Sequence, residues 1–485
     1  LGIAEQVHRK GMGRMLAGAQ QAQGQHGENF FDRTGHGWFE LWIVIKYCAQ
    51  VFATRTKRIM ESKLLRRLLP TPLLALLLAC NPLQADQLQD DFDQALQAID
   101  QNQLRTARER LTSLLTTNPS LSRARLELAR VYYLSQDYTK AREEAQRVAD
   151  DPNTPPAVRA TVLAFLAQID ADQKRNMARH QWTPSIYAGL MYDSNVNVGP
   201  ARDIIDINGI PRPVEPGSQE KDDFAMVISP GIAHTWNPGR RFEAGEQQGF
   251  FLWQSQANAY YRAYADEDDY DLGILTLRTG PAWVVPGRWR AGIGLQGDQI
   301  FLGGGNLAWF TTLNPNITWE LGSDTELSLD GIATDRRYDD DEEEGRDGLY
   351  LSTNAIVTRY FRNRSLGVQA GIGYADFDAD DERFGYDTPD LMLGVIFDTW
   401  QGGSAYARVN YRNYEFDGPE PAPFAPAVRD EDEIRLALGF QHEFRGDALR
   451  NWVLLGSWVH TDNDANIGIY EYDRDVVNLG MARNF

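Results

Sequence analysis

The chain has 485 residues, with 68 Asp and Glu against 48 Lys and Arg and a formal net charge of −20. Its length allows more than one domain, and its acidity argues against a polyanion-binding groove, so no nucleic-acid partner is expected. No run of about 18 apolar residues follows residue 85, which argues against helical membrane spans; the 21 Phe, 20 Tyr, 12 Trp and 42 Gly instead suit a membrane β-barrel, where only alternate residues face lipid.

The N-terminal region reads as processing signals. Met60-Glu61-Ser62-Lys63-Leu64-Leu65-Arg66-Arg67 is basic, Leu68 to Ala79 is apolar, and Cys80-Asn81-Pro82-Leu83-Gln84-Ala85 follows. This is the layout of a secretory signal over 60–85, beginning at Met60. Residues 1–59, which open on Leu1, are then expected to be a disordered extension from an upstream start, with no domain of their own. Cleavage after Ala85 is preferred, because a barrel needs no lipid anchor; the alternative is a lipobox, Leu77-Leu78-Ala79-Cys80, that would acylate Cys80. Both cysteines, Cys48 and Cys80, precede the folded part, which therefore has no disulfide, no cysteine metal site and no cysteine nucleophile.

Residues 86–178 carry helical spacing and a 34-residue repeat. Ala95, Leu104, Ala107, Leu111, Leu114 and Pro119 align with Ala129, Tyr138, Ala141, Ala145, Val148 and Pro152, the last pair off by one. Small residues recur where two helices must approach closely. The pattern resembles the tetratricopeptide repeat, with Leu128-Ala129, Tyr132, Tyr138 and Ala141 as its best matches. A third helical stretch near 156–175 would cap the stack. Such repeats offer a concave surface to partner proteins, and Tyr132 and Tyr138 are the candidate partner-binding residues.

From Thr183 onward the period changes to two. About fourteen strands are predicted, near 183–194, 222–236, 249–264, 269–285, 288–302, 307–321, 324–338, 347–361, 364–377, 384–399, 402–416, 430–445, 448–461 and 472–485. Leu436, Leu438, Phe440 and His442 share one face, and Val453, Leu455, Ser457 and Val459 another. Tyr406, Arg408, Asn410, Arg412 and Tyr414 form a lumen-facing row, since charge on a lipid face is costly. Trp236, Trp283, Trp289, Trp309, Trp319, Trp400 and Trp452 lie near strand ends, as interfacial girdles do. The last strand puts Val477, Leu479, Met481 and Phe485 on one face. A terminal Phe485 is also how outer-membrane barrels end, where the barrel-assembly machinery reads it.

The connections alternate. Pro286-Gly287, Gly322-Ser323, Arg362-Asn363, Gln401-Gly402 and Gly446-Asp447 are tight turns, and acidic or Pro-rich loops lie between them. Short turns on the periplasmic side and longer loops outside then place the helical domain and Phe485 in the periplasm of a Gram-negative bacterium. Two connections break the pattern: Asn237–Gln248 is long on the turn side, and Gly303–Asn306 is short on the loop side. The acid run Asp339 to Glu344 lacks the spaced ligands of a calcium loop and reads as a solvated face, bridged to lipopolysaccharide by divalent ions. No Gly-x-Ser-x-Gly elbow, phosphate loop or His-Glu-x-x-His occurs. Hence no catalytic residue, metal or cofactor is assigned, and no enzyme is expected.

Helical repeats leading into Pro184-Ser185-Ile186-Tyr187-Ala188-Gly189-Leu190-Met191-Tyr192-Asp193-Ser194-Asn195-Val196-Asn197 resemble the opening of the surface lipoprotein assembly modulator (Slam) family, also described as a domain of unknown function 560. The resemblance covers about 86–485, and its most specific element is Tyr192-Asp193-Ser194-Asn195-Val196-Asn197. It implies an α+β multidomain protein, in which short periplasmic tetratricopeptide-like repeats precede an antiparallel transmembrane β-barrel of about fourteen strands. It also implies a function: delivering a client surface lipoprotein or secreted protein across the outer membrane, the repeats receiving the client and the barrel passing or inserting it. The repeat region here is shorter than that of better-known members. A polysaccharide exporter and a passive outer-membrane porin are the alternatives.

Overall fold

A computed structural model describes residues 82–485 apart from 177, 208 and 340–343. The extension 1–59, the signal as far as residue 81, Cys80 and most of the acid run after Asp339 lie outside the described residues.

Five helices come first: α1 (Pro82–Asp100), α2 (Leu104–Thr117), α3 (Ser122–Leu134), α4 (Tyr138–Asp150) and α5 (Pro156–Asn176). The aligned alanines Ala95, Ala107, Ala129, Ala141 and Ala145 are fully buried, so the small residues do sit where helix backbones approach. Leu104, Leu111 and Val131 fill the space between α1, α2 and α3. Val148, Val162, Leu166 and Ile169 do the same for α4 and α5. Each buried aliphatic side chain contributes roughly 1.5–3 kcal/mol. Asp137 starts α4 by accepting from the Lys140 amide, which satisfies one of the free donors of a helix start.

Seventeen strands follow: β1 (His180–Asp193), β2 (Ile204–Ile207), β3 (Ile210–Pro213), β4 (Asp223–Trp236), β5 (Arg241–Ala244) and β6 (Gln247–Tyr264). Next are β7 (Leu272–Val285), β8 (Trp289–Leu302), β9 (Gly305–Glu320), β10 (Thr325–Tyr338), β11 (Gly348–Phe361) and β12 (Leu366–Ala379). The last are β13 (Tyr386–Trp400), β14 (Gly403–Pro419), β15 (Val428–Glu443), β16 (Trp452–Ala465) and β17 (Tyr472–Asn484). Fourteen of them close an antiparallel barrel. Every sequential neighbour pairs, β4 pairs with both β1 and β6, and β1 meets β17 from Ser185↔Asn484 to Asp193↔Val476. β2 and β3 form a separate hairpin, and β5 lies beside the start of β6.

The pleat sorts side chains to two faces. Leu190, Phe224, Leu277, Leu393 and Leu479 point outward and are exposed, the inverse of a soluble protein and the requirement of a wall that meets lipid. The turns meet their conformational demands: Gly287, Gly322 and Gly402 have φ of +67°, +98° and +81°, where a β-carbon is disfavoured. These turns share the helix-side end of the barrel. Of the seven tryptophans read as interfacial, all but Trp309 also stand there; Trp309 joins Tyr261, Tyr374 and Tyr411 nearer the far end. Beyond that second girdle the outward residues become acidic, and Asp376, Asp387, Glu415 and Asp430 are successive cross-strand neighbours.

One sequence expectation needs correction, and one row whose orientation the sequence left open gains it. The connection 237–248 is not a simple loop: it contains β5 and the first residues of β6. The Val453, Leu455, Ser457 and Val459 row faces the lumen. It shares the side of Thr461 and Asn463, which bond the inward Arg435 and Glu431.

Candidate functional site

The helical domain and the lumen are the two regions where a passing molecule would meet this chain. Tyr138 opens α4 but is only 4% exposed. It packs with Ala141, Val148 and Leu166, so its ring builds the core rather than lining a groove. Tyr132 is half-buried between the two helical cores, with the Lys140 ammonium 5.4 Å above its ring. The neighbouring Tyr133, one helical step round α3, ties α3 to α5. Its hydroxyl donates to Asp172 Oδ2 at 2.5 Å and accepts from Gln168 Nε2 at 3.1 Å, both on α5. Burial, then the Asp172 carboxylate, raises the Tyr133 phenol pKa. On the other side of α5, one heptad from the Asp170 that bonds Arg142 of α4, Leu163 is 53% exposed. A Tyr-Tyr pair at 132–133 does not say in sequence which ring faces outward; that depends on helix phase.

The Tyr192–Asn197 segment divides at the barrel wall. Tyr192 faces outward, stacks at 5.0 Å on Phe224 and donates to Asp222 at 3.2 Å. Asp193 faces inward with no exposure. It accepts from Arg474 Nε at 2.8 Å, from the Arg474 terminal nitrogen, and from the Tyr264 hydroxyl at 2.8 Å. A carboxylate this deeply buried requires such partners. Ser194 Oγ accepts from the Asp475 amide at 2.8 Å. Asn195 uses both ends of its amide: Oδ1 accepts from Gly199 N at 2.7 Å, and Nδ2 donates to Gly199 O and Asp473 O at 2.9 and 3.1 Å. Asn197 does likewise with Lys221 N (3.0 Å) and Gln219 O (2.7 Å). An Asn amide carries a separate carbonyl acceptor and NH2 donor on one short side chain, so each can clamp a backbone N–H and a backbone C=O at once.

The result is a stitched loop that folds inward. Val196 is fully buried against Met191, Tyr264 and Tyr472 in the far mouth. From there the β2–β3 hairpin reaches across, and Ile205 and Val214 pack with Phe424, Ile467, Ile469 and Tyr470 of the loops after β14 and β16. The motif anchors a clasp that ties the hairpin to the loops after β14 and β16 at the far mouth.

The lumen has two kinds of wall. Along β7 to β15 it is polar and internally bonded: Thr276 to Asp298 (2.6 Å), Arg278 to Asn314 (2.8 Å), Asn354 to Asp330 (3.2 Å). The predicted row on β14 lies here. Arg412 donates to Asp390 at 2.7 Å and stands 3.6 Å from Glu433, and Asn410 also donates to Asp390. Along β16, β17, β1 and β4 the inward residues include the apolar Leu455, Val459, Val476, Met191 and Val227, beside Ser457, Asn478 and the Asp193–Arg474 pair. Among the described residues no group of three or more His, Cys, Asp and Glu side chains is placed to hold a metal ion. Phe485, at the helix-side end, donates its amide to Pro184 O at 2.9 Å, with the Arg483 guanidinium 4.7 Å from its ring.

Comparison with known proteins supports the helical half. The tetratricopeptide repeat family matches residues 98–169. No curated protein matches the chain. Among solved structures, a loop-deletion mutant of OmpT, an outer membrane protein of Vibrio cholerae, is 7% identical, covering 64% of this chain and 100% of its own, with a TM-score of 0.37. An anion-selective porin from Comamonas acidovorans is 10% identical, covering 63% and 99%, with a TM-score of 0.35. A bacterial polysaccharide outer membrane secretin is 8% identical, covering 62% and 98%, with a TM-score of 0.34. Similarity this weak assigns no function.

Proposed function

We propose that the protein is an outer-membrane translocator, its helical domain in the periplasm, that delivers client lipoproteins or secreted proteins to the cell surface. The carrying observation is a tetratricopeptide-repeat domain fastened to one end of a closed transmembrane barrel. Repeats of this kind bind proteins, and a passive pore has no need of one. A barrel of fourteen strands is narrower than a porin of sixteen to eighteen, so an unfolded chain is the fitting cargo, and folding outside supplies direction. The bonded polar wall suits an extended backbone; the apolar wall suits apolar side chains or an acyl chain. The barrel-assembly machinery at Phe485 and lipopolysaccharide at the acidic far rim complete the partners.

The test is surface display. The chain from Met60 is expressed in a Gram-negative host with a lipoprotein encoded beside it, and protease is added to intact cells. The reading expects client cleavage only when this protein is present. Equal protection with and without it would overturn the reading for that client and move polysaccharide export or passive diffusion ahead.

A further inference from the structure

The longest helix-side connection, between β4 and β6, is the part of the barrel that grips the helical domain. It folds back as β5, pairing Arg241↔Phe250 through Ala244↔Gln247. At its tip, Glu246 meets the start of α2. Glu246 Oε2 accepts from Thr106 N at 2.9 Å and Thr106 Oγ1 at 3.0 Å, Oε1 accepts from Arg105 at 3.2 Å, and the Glu246 carbonyl accepts from Arg105 N at 2.8 Å. Gln103, at the capping position of α2, makes no side-chain cap. A helix start presents unsatisfied amides and partial positive charge, and here the barrel supplies the missing carboxylate.

Two further bonds reach the turns of the repeats. Gln247 Nε2 donates to Asn102 O at 3.3 Å, and Arg241 donates to Gln136 O at 3.2 Å, with Asp137 Oδ2 at 4.0 Å from the same guanidinium. Asn102 and Gln136 both adopt left-handed backbone, φ 57° and 56°, and they stand one 34-residue period apart. The hairpin therefore holds the equivalent carbonyl of two successive repeats. One such bond would leave the domain free to pivot; two, spaced by a repeat, fix its rotation.

We propose that the β5–β6 hairpin is a two-point dock keyed to the repeat period, with Arg241 and Glu246 as positioning residues. They hold the helical domain so that a client leaving the α3–α5 face meets the barrel mouth. The docking stands on the contacts alone; its consequence for a client rests on the translocator reading.

The test uses the full chain in isolated outer membranes and in intact cells. Arg241→Ala with Glu246→Ala is compared with Glu246→Gln, which keeps an acceptor for Thr106, and with Glu243→Ala on the exposed side of the same hairpin. Cleavage of the helical domain by protease in isolated membranes should quicken about tenfold in the double variant, less in Glu246→Gln, and not in Glu243→Ala. Client display on intact cells should fall in the same order, while heat-modifiable gel mobility shows the barrel still folded. Two results would overturn the proposal: a double variant no more protease-sensitive than Glu243→Ala, or a released domain with client display unchanged. A wild type that displays no client would instead sink the translocator reading, and the protease comparison would still decide the dock.

Discussion

The helical domain and the barrel obey opposite burial rules. In the first, Leu111 and Val131 are sealed inside and the surface is charged. In the second, Leu190, Phe224 and Leu479 face outward, while Asp298, Asn314 and Arg412 line the interior, bonded to Thr276, Arg278 and Asp390. The same leucine signals a core in one half and a lipid contact in the other. Likewise, among the described residues, a fully buried charge is missing from the helical domain and structural in the barrel.

The comparison can be broken at single residues. The largest effect is expected for Asp193→Ala, which leaves Arg474 buried beside an empty position. A broken buried pair costs about 3–5 kcal/mol, readable as a lower denaturant midpoint for barrel unfolding; a loss below about 1 kcal/mol would show the clasp is not anchored there. Next, Leu111→Ala should cost the helical domain about 2–5 kcal/mol, with early loss of helical circular dichroism and an unaltered barrel midpoint. Leu479→Arg should cost the barrel about 2–4 kcal/mol at mid-membrane depth, whereas Leu479→Ala should barely register. Equal losses in the two Leu479 variants would contradict a lipid-facing assignment.

The smallest effect concerns pH at the junction. The Thr106 backbone amide, aided by the Thr106 hydroxyl and Arg105, holds the Glu246 carboxyl below its ordinary 4.5. A depressed carboxyl stabilises docking above the ordinary value and loses that contribution as pH falls through the lowered one. Protease sensitivity of the helical domain should thus be flat from neutral pH to about 5 and rise only in stronger acid. Glu246→Gln should remove that rise.

Much of this was legible before the structure. The strand expected at 183–194 is 180–193, and the one expected at 347–361 is 348–361, because alternation and turn chemistry at Gly322 or Gly402 are local signals. The repeat alanines were legible for the same reason. What escaped depends on distant partners. The β5–β6 hairpin looked like an anomalously long turn because its purpose lies in the helical domain, at Thr106, Asn102 and Gln136. Val453, Leu455 and Val459 alternate as well as any lipid-facing row, yet registry with Arg435 and Glu431 turns them inward. Asn195 and Asn197 stood out as a motif, but nothing local shows that their amides staple a loop into the mouth. Tyr138 matched the repeat so well because it is core.

The central claim is that the helical domain receives a protein. A photo-cross-linking residue at Leu163, exposed on α5, tests it in cells that express the chain and a client. The same residue placed at Leu479 on the lipid face serves as the comparison. The account predicts a client adduct from Leu163 and none from Leu479. Client adducts from neither position, in cells where the client still reaches the surface, would contradict it.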